Sequence, residues 1–183
     1  KFRLVTFIIA IFFIFILSLK APNLSERMFM SPAKSMGIIK SSEEPKIFSY
    51  VHDSHYKTAY KMFKDQPLLG HGPKMFRIIC KDEKYVVGDY PCSSHPHNFY
   101  VQLLAETGIV GFFFLFSALS YVLYAAFRQL KSIILKQKRH LTDYQVCLLA
   151  GMLITVWPFT PNGNFFNNWL MIIYSLPVGF YLQ

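Results

Sequence analysis

Two imidazoles stand two residues apart in Ser94-His95-Pro96-His97-Asn98, immediately ahead of a long apolar run. A histidine of ordinary pKa, about 6.5, is largely neutral at neutral pH and can accept a proton. At the head of a helix entering an apolar medium, such a ring suits deprotonation of a hydroxyl nucleophile at the bilayer surface. Residue type alone does not choose between His95 and His97. Just downstream, Asn98, Gln102 and Glu106 recur at four residues and form one polar stripe on that helix. An ionisable group at membrane depth is costly unless it faces a cavity or partner, which makes Glu106 a candidate for function. The plain alternative is a glutamate reaching back to interfacial water.

Upstream, Gly70-His71-Gly72-Pro73-Lys74-Met75-Phe76-Arg77 pairs two glycines, which permit turns that side chains block, with two cations. Backbone N–H groups, Lys74 and Arg77 could together hold a phosphate. A nucleotide P-loop is excluded because no Gly-Lys-Ser/Thr ending follows. The alternative is a structural turn with solvated cations. Cys80 and Cys92 lie in the same segment and leave two readings open. In an oxidising compartment they could close a disulfide loop of about a dozen residues. Alternatively, Cys92-Ser-Ser-His95-Pro-His97, with His71 and His55, offers metal ligands, although the spacing is no standard zinc pattern and Pro96 stiffens it.

The elements that must carry these residues are membrane helices. Of 183 residues, 53% are hydrophobic and 16% charged, and the apolar residues gather into runs too long for a soluble core. The formal charge of +9 makes no single basic stripe, so no nucleic-acid partner is expected. Four windows approach the roughly 20 residues a crossing needs: Leu4 to Leu19, Ile109 to Phe127 with its helix starting near Asn98, Tyr144 to Pro161, and Phe165 to Leu182. The last two read as a hairpin turning at Pro161-Asn162-Gly163-Asn164. Leu4 to Leu19 is long for a cleavable signal peptide and lacks a small-x-small site after it, so an uncleaved span is expected.

Arg128, Lys131, Lys136, Lys138 and Arg139 mark the segment 128–143 as cytoplasmic, and Lys1 and Arg3 put the chain's start on that side. The expected organisation is therefore a transmembrane helix at 1–19, an external loop at 20–98, a transmembrane helix at 99–127, the basic cytoplasmic loop, and a transmembrane hairpin at 144–183. The external loop holds 12 Lys and Arg, 8 Asp and Glu and five of the six histidines, so the chemistry is sought there. Its first part, through Ser31-Pro32 and Ser41-Ser42-Glu43-Glu44-Pro45, reads as linker. From His52 to Phe63, Tyr56, Ala59, Tyr60 and Phe63 recur at helical spacing and predict a helix with one face on an apolar surface, ended by Asp65-Gln66-Pro67. Gly108 and Gly111 are expected to admit a neighbouring helix. The chain starts at Lys and ends just after an apolar run, so a piece of a longer protein is expected.

Three stretches carry a family resemblance: Pro67 to Phe76 (PLLGHGPKMF), His97 to Gly111 (HNFYVQLLAETGIVG) and Pro161 to Trp169 (PNGNFFNNW). Over most of residues 52 to 183 the chain resembles the C-terminal region of the bacterial O-antigen ligase and O-antigen polymerase family. The His-Asn entry into a Gln-Leu-Leu-Ala-Glu-Thr-Gly helix is the specific part. The resemblance implies a polytopic inner-membrane glycosyltransferase of about a dozen helices, of which this chain supplies the last four, with the large loop in the periplasm. Such enzymes move a glycan from undecaprenyl pyrophosphate to a sugar hydroxyl: the lipid A core in ligases, another repeat unit in polymerases. Neither a nucleotide nor a metal cofactor is implied. The family's loop histidine falls on His97, as general base on the acceptor hydroxyl.

One departure stands out. Where the family often has an arginine thought to hold the pyrophosphate, this sequence reads His52-x3-Tyr56-x2-Ala59. Imidazole gives no bidentate fork and is only partly charged near neutral pH. Either His52 or His55 does less, or Lys74 and Arg77 take the load. The fold expected is an all-α membrane fragment with one large helical loop. His97 is expected as the catalytic residue, with Arg77, Lys74, His52, His55, His95, Asn98, Gln102 and Glu106 in substrate binding. A ligase is preferred to a repeat-unit polymerase; a non-enzymatic metal-handling or flippase-like transport component is the reading from another class.

Overall fold

A computed structural model describes residues 2–35, 39 and 47–183, and every regular element among them is helical. The expected linker residues Ser41 to Pro45, and Lys1, lie outside the described residues. The chain forms two compact units, Lys1–Asp53 and Ser54–Gln183.

In the first unit, α1 (Phe2–Lys20) exposes the side chains of Leu4 to Leu17 on all faces. Such a helix is stable only among lipid or other helices. The helical path continues through α2 (Pro22–Ser25), a π-helical turn at Glu26–Met30 and α3 (Ser31–Ser35), tied by a surface ion pair between Lys34 and Glu26 at 2.9 Å. Ser31 and Pro32, expected in a linker, are thus helical.

The helix α4 (Tyr50–Asp65) is longer than its periodicity predicts, because Ser49 accepts from the His52 N–H as a cap. Its buried stripe is Ser54, His55, Thr58, Ala59 and Met62, while Tyr60 is exposed. The face is turned from the expected one because polar partners, absent from a hydrophobicity count, select it: Ser54 Oγ donates to the Val87 carbonyl. At its far end Asp65 takes an ion pair from Lys84 at 2.5 Å and a hydrogen bond from the Tyr85 hydroxyl at 2.6 Å. Ala59 and Met62 then pack with Phe76 of the single turn α5 (Phe76–Ile79), with Cys80, Tyr85 and with Ala105.

Cys80 and Cys92 form a disulfide, with Cα atoms 5.3 Å apart. It fastens α5 to the segment leading into His95 and His97. A cross-link of this loop length removes about 3 kcal/mol of unfolded-state entropy on the chain-entropy model. Cys80→Ser with Cys92→Ser is therefore expected to lower the thermal midpoint in detergent; a midpoint unaffected by substitution or by reductant would contradict it.

The helix α6 (Phe99–Ile134) is the one described helix long and apolar enough to cross a membrane; the apolar stretch of α1 and α7 (Asp143–Val156) are shorter. α6 packs on α7, and α7 on α8 (Asn168–Tyr181), which carries Pro177 inside it. One apolar cluster gathers Phe99, Tyr100, Leu103, Leu115 and Leu119 against Phe165 and Tyr174, a second Val122, Leu149, Met152 and Tyr181. Both ends of the hairpin are capped. Thr142 and Gln145 form a reciprocal box at α7, and the Asn167 side chain accepts from Leu170 N at α8.

The apolar pattern predicts α6 as continuous, but it is broken at Gly108 (φ 64°, ψ −162°). The reason is an inserted strap of backbone. Ile109 N donates to Pro67 O at 2.8 Å and Val110 N to Leu68 O at 3.4 Å; His71 N donates to Ala105 O at 3.1 Å and Gly72 N to Glu106 O at 2.8 Å. Donors and acceptors that lose helical partners at the break are thus satisfied by the Pro67 to Gly72 loop. What approaches Gly108 is this loop rather than a helix, and Gly111 leaves room for the side chain of Thr107.

Candidate functional site

The loop strap and the hairpin turn meet at the head of α6. Asn98 is its N-cap, accepting from Tyr100 N at 3.0 Å and Val101 N at 3.1 Å through Oδ1, and donating through Nδ2 to Pro158 O at 2.6 Å. Gln102 is fully buried: its amide nitrogen donates to Glu106 and to Asn164 Oδ1, both at 2.9 Å, and its oxygen accepts from Phe165 N at 2.9 Å. Glu106, also fully buried, accepts from Phe76 N at 2.9 Å. The polar stripe legible in the sequence therefore holds three chain segments in register, with these polar atoms engaged by protein partners.

His97 sits just outside the cap with φ 63°, in the left-handed region that costs most side chains about 1–2 kcal/mol. Its carbonyl accepts from Asn162 N at 2.9 Å. Pro96 before it is buried, so the peptide is held on both sides. The ring lies 4.2 Å, centre to centre, from that of His95 and 5.6 Å from that of His55. His55, buried on α4, meets Phe76 edge-on. Three of the candidate histidines thus converge. His52 belongs to the first unit, where its Nδ1 pairs with Ser49 Oγ at 2.8 Å.

Both nitrogens of His95 are occupied: Nε2 lies 3.2 Å from the Asn162 carbonyl, which can only accept, and Nδ1 lies 2.8 Å from Ser94 Oγ. That fixes an Nε2–H tautomer whose lone pair on Nδ1 takes the Ser94 hydroxyl. Burial pushes the His95 pKa below the usual histidine range; the bond to Asn162 opposes this, and the nearby charge of Arg77 adds to it. A ring that binds a proton less readily folded than unfolded contributes stability that is present above its unfolded pKa and lost as pH falls through the lowered folded value. The thermal midpoint is accordingly expected to hold above about pH 7 and to fall below about 6.5, with a shallower fall in His95→Gln. An equal slope in both proteins would contradict this.

Lys74 (φ 65°) and Arg77 are exposed, on the turn and on α5. The charge of Arg77 helps to lower the His95 pKa, so the cation lies within electrostatic range of that ring. The disulfide removes Cys92 from any thiolate ligand set, and among the described residues no three His, Cys, Asp or Glu converge as metal ligands.

Two residues of this site have roles that the sequence does not reveal, His71 read there as a possible metal ligand and Asn162 as part of a turn. His71 donates from Nε2 to Met62 O at 3.0 Å and stacks edge-on against Tyr85. Asn162 binds both flanks of the His-Pro-His segment from a turn about 65 residues away in sequence. The Gly-His-Gly spacing and the Asn-Gly turn were the available signals, but neither says what lies across from it.

A family model described as O-antigen ligase matches residues 1–116. The chain belongs to the O-antigen ligase family. This is a bacterial membrane protein family with a glycosyltransferase-like role in O-antigen biosynthesis, acting on glycans and lipid-linked substrates. The match takes in the first apolar helix, the histidine-rich loop and the broken head of α6, and ends before the hairpin. The family assignment thus rests on a different extent from the resemblance read over residues 52 to 183. No curated protein and no solved structure matches the chain.

Proposed function

We propose that the chain acts in transfer of a glycan from undecaprenyl pyrophosphate to a sugar hydroxyl, as an O-antigen ligase acting on the lipid A core. The observation that carries this reading is His97, held in a left-handed backbone conformation at the capped head of a membrane helix and grouped with two further imidazoles. Strained backbone over-determined by its surroundings concentrates at functional sites.

In this mechanism the acceptor hydroxyl gives its proton to the His97 ring as its oxygen attacks the anomeric carbon. The bond from that carbon to the donor phosphate oxygen breaks, and the electron pair leaves with undecaprenyl pyrophosphate. Arg77 and Lys74 stabilise that leaving charge by charge-assisted hydrogen bonds. His95 supplies a neutral, hydrogen-bonded neighbour, and His55 backs the His97 ring. Arg77 and Lys74 thereby take the load of the arginine the family often carries. Asn98, Gln102 and Glu106 act as positioning residues through the backbone they hold.

Four crossings of the inner membrane, with residues 20–98 in the periplasm and 128–143 in the cytoplasm, complete the proposal. Exposed Trp157, Phe159 and Trp169 flank the hairpin turn, and exposed Tyr121, Tyr124 and Tyr144 lie toward the other end, as two interfacial belts require. A disulfide in the loop fits an oxidising periplasm.

The test is transfer from purified undecaprenyl-pyrophosphate glycan to a lipid A core acceptor by the full-length protein, with EDTA present. Product is expected, and loss of product on chelation would refute metal independence. Donor chains that lengthen without reaching the acceptor would identify a polymerase instead. Arg77→Gln is expected to raise the donor KM by about tenfold, the loss of roughly 1.4 kcal/mol of phosphate binding. An unchanged KM would remove Arg77 from the site.

A further inference from the structure

We propose that the cytoplasmic end of α6 carries a binding site for the phosphate of an anionic phospholipid headgroup. A cavity of about 450 Å3 lies there, lined by Tyr124, Phe127, Arg128, Lys131, Gln137 and His140. A second hollow of about 290 Å3 shares Tyr124, Arg128 and His140 with it. Neither belongs to the histidine cluster at the other end of the helix.

The site is built by buried polar side chains. Gln129, 5% exposed, accepts from His140 N at 3.1 Å and Leu141 N at 3.0 Å through its side-chain oxygen, and donates to the Leu141 carbonyl at 3.4 Å. This folds the returning chain against α6 and brings His140 Nδ1 to 3.4 Å from Arg128 Nη2. Ser132, 1% exposed, donates to the Gln129 carbonyl and, through its own carbonyl, takes Gln137 N at 2.8 Å. Lys136 adopts φ 53° to close the turn.

Charge at the site is unbalanced. Arg139 is paired with Asp143 at 2.5 Å, whereas neither Arg128 nor Lys131 has a carboxylate partner among the described residues. The carbonyl end of α6 is itself partly negative, so an anion there must be held by these side chains rather than by the helix. Position selects the lipid. The charge-free run from Ile109 to Phe127 rises about 28 Å as a helix, close to the hydrocarbon thickness, so Arg128 and Lys131 emerge at headgroup level. Tyr124 and Phe127, both largely exposed, give the cavity an apolar wall beside its cations, as suits a ligand with a phosphate and acyl chains.

This inference rests on the crossing order proposed above and not on the transfer reaction. The test reconstitutes the full-length protein in nanodiscs of phosphatidylcholine and phosphatidylglycerol in equal parts, and reads lipid retained after detergent extraction by native mass spectrometry. Preferential retention of phosphatidylglycerol is expected, falling about tenfold in Arg128→Gln with Lys131→Gln. It should be unchanged in Arg139→Gln and kept in the charge-conserving Arg128→Lys with Lys131→Arg. Equal retention of the two lipids, or no loss in the double Gln variant with an unaltered thermal midpoint, would overturn the proposal. Inorganic phosphate stabilising the lipid-free protein as much as phosphatidylglycerol does would assign the site to a soluble anion and overturn the lipid. Lys138→Cys in a Cys147→Ser background should resist an impermeant thiol reagent in intact cells. Labelling there would overturn the leaflet assignment, and with it the crossing order, whatever the lipid result.

Discussion

Replacing His97 by Asn is expected to abolish glycan transfer while leaving the amount of protein in the membrane unchanged. Asn tolerates positive φ better than most residues, so φ 63° and the carbonyl contact to Asn162 N at 2.9 Å are retained. What disappears is the imidazole. Loss of a positioned general base costs roughly a hundred- to ten-thousandfold in rate. His97→Ala should lose the same activity but some stability as well, since Ala is less at ease in that conformation. His95→Asn is the informative contrast: it removes the ring contacts to Asn162 and Ser94, so it should loosen the hairpin turn, with a partial effect on transfer that tracks stability. Transfer at the normal rate by the His97→Asn protein would end the general-base mechanism, and equal loss in both variants would return the choice between the two histidines to open ground.

The division between what the sequence reveals and what it hides follows from the range of the interactions. Helix α6, the polar stripe of Asn98, Gln102 and Glu106, and the hairpin turning at Pro161 to Asn164 come from local periodicity and turn chemistry, and they are legible. The pairing of Cys80 with Cys92 is half legible, because twelve residues of separation allow a disulfide without requiring one. The break at Gly108 is not legible, since Gly-Ile-Val-Gly inside an apolar run reads as ordinary helix packing until the partner, residues 67–72, is known. The rotation of α4 has the same origin: Ser54 is buried for its bond to the Val87 carbonyl, and a hydrophobic period discounts such a residue. For the site, the sequence brings forward residues that meet at the head of α6 but not the partners they meet there. Gln102 and Glu106 look alike as candidates for touching a substrate, and only their partners Asn164, Phe165 and Phe76 reveal the segments they hold.

Gly108→Ala should be the most damaging single substitution outside the histidine cluster. At φ 64° and ψ −162° the backbone occupies a region open essentially to glycine, costing any other residue on the order of 1–3 kcal/mol. The added Cβ would also fall on the Leu68 carbonyl, which is backbone and cannot swing aside. Separating the loop from the break strands two donors, Ile109 N and Val110 N, and two acceptors, Ala105 O and Glu106 O, within an apolar helix. The expected result is a lower membrane level and faster trypsin cleavage after Lys74 and Arg77. Gly111→Ala should be milder, because the atoms in the way belong to the Thr107 side chain, which can rotate. Gly151→Ala in α7 meets nothing within 4 Å and should be neutral or stabilising by about 0.5–1 kcal/mol through helix propensity. If Gly108→Ala and Gly151→Ala behaved alike, the loop would not be stapled to the helix, and the head of α6 would lose the support that fixes His97.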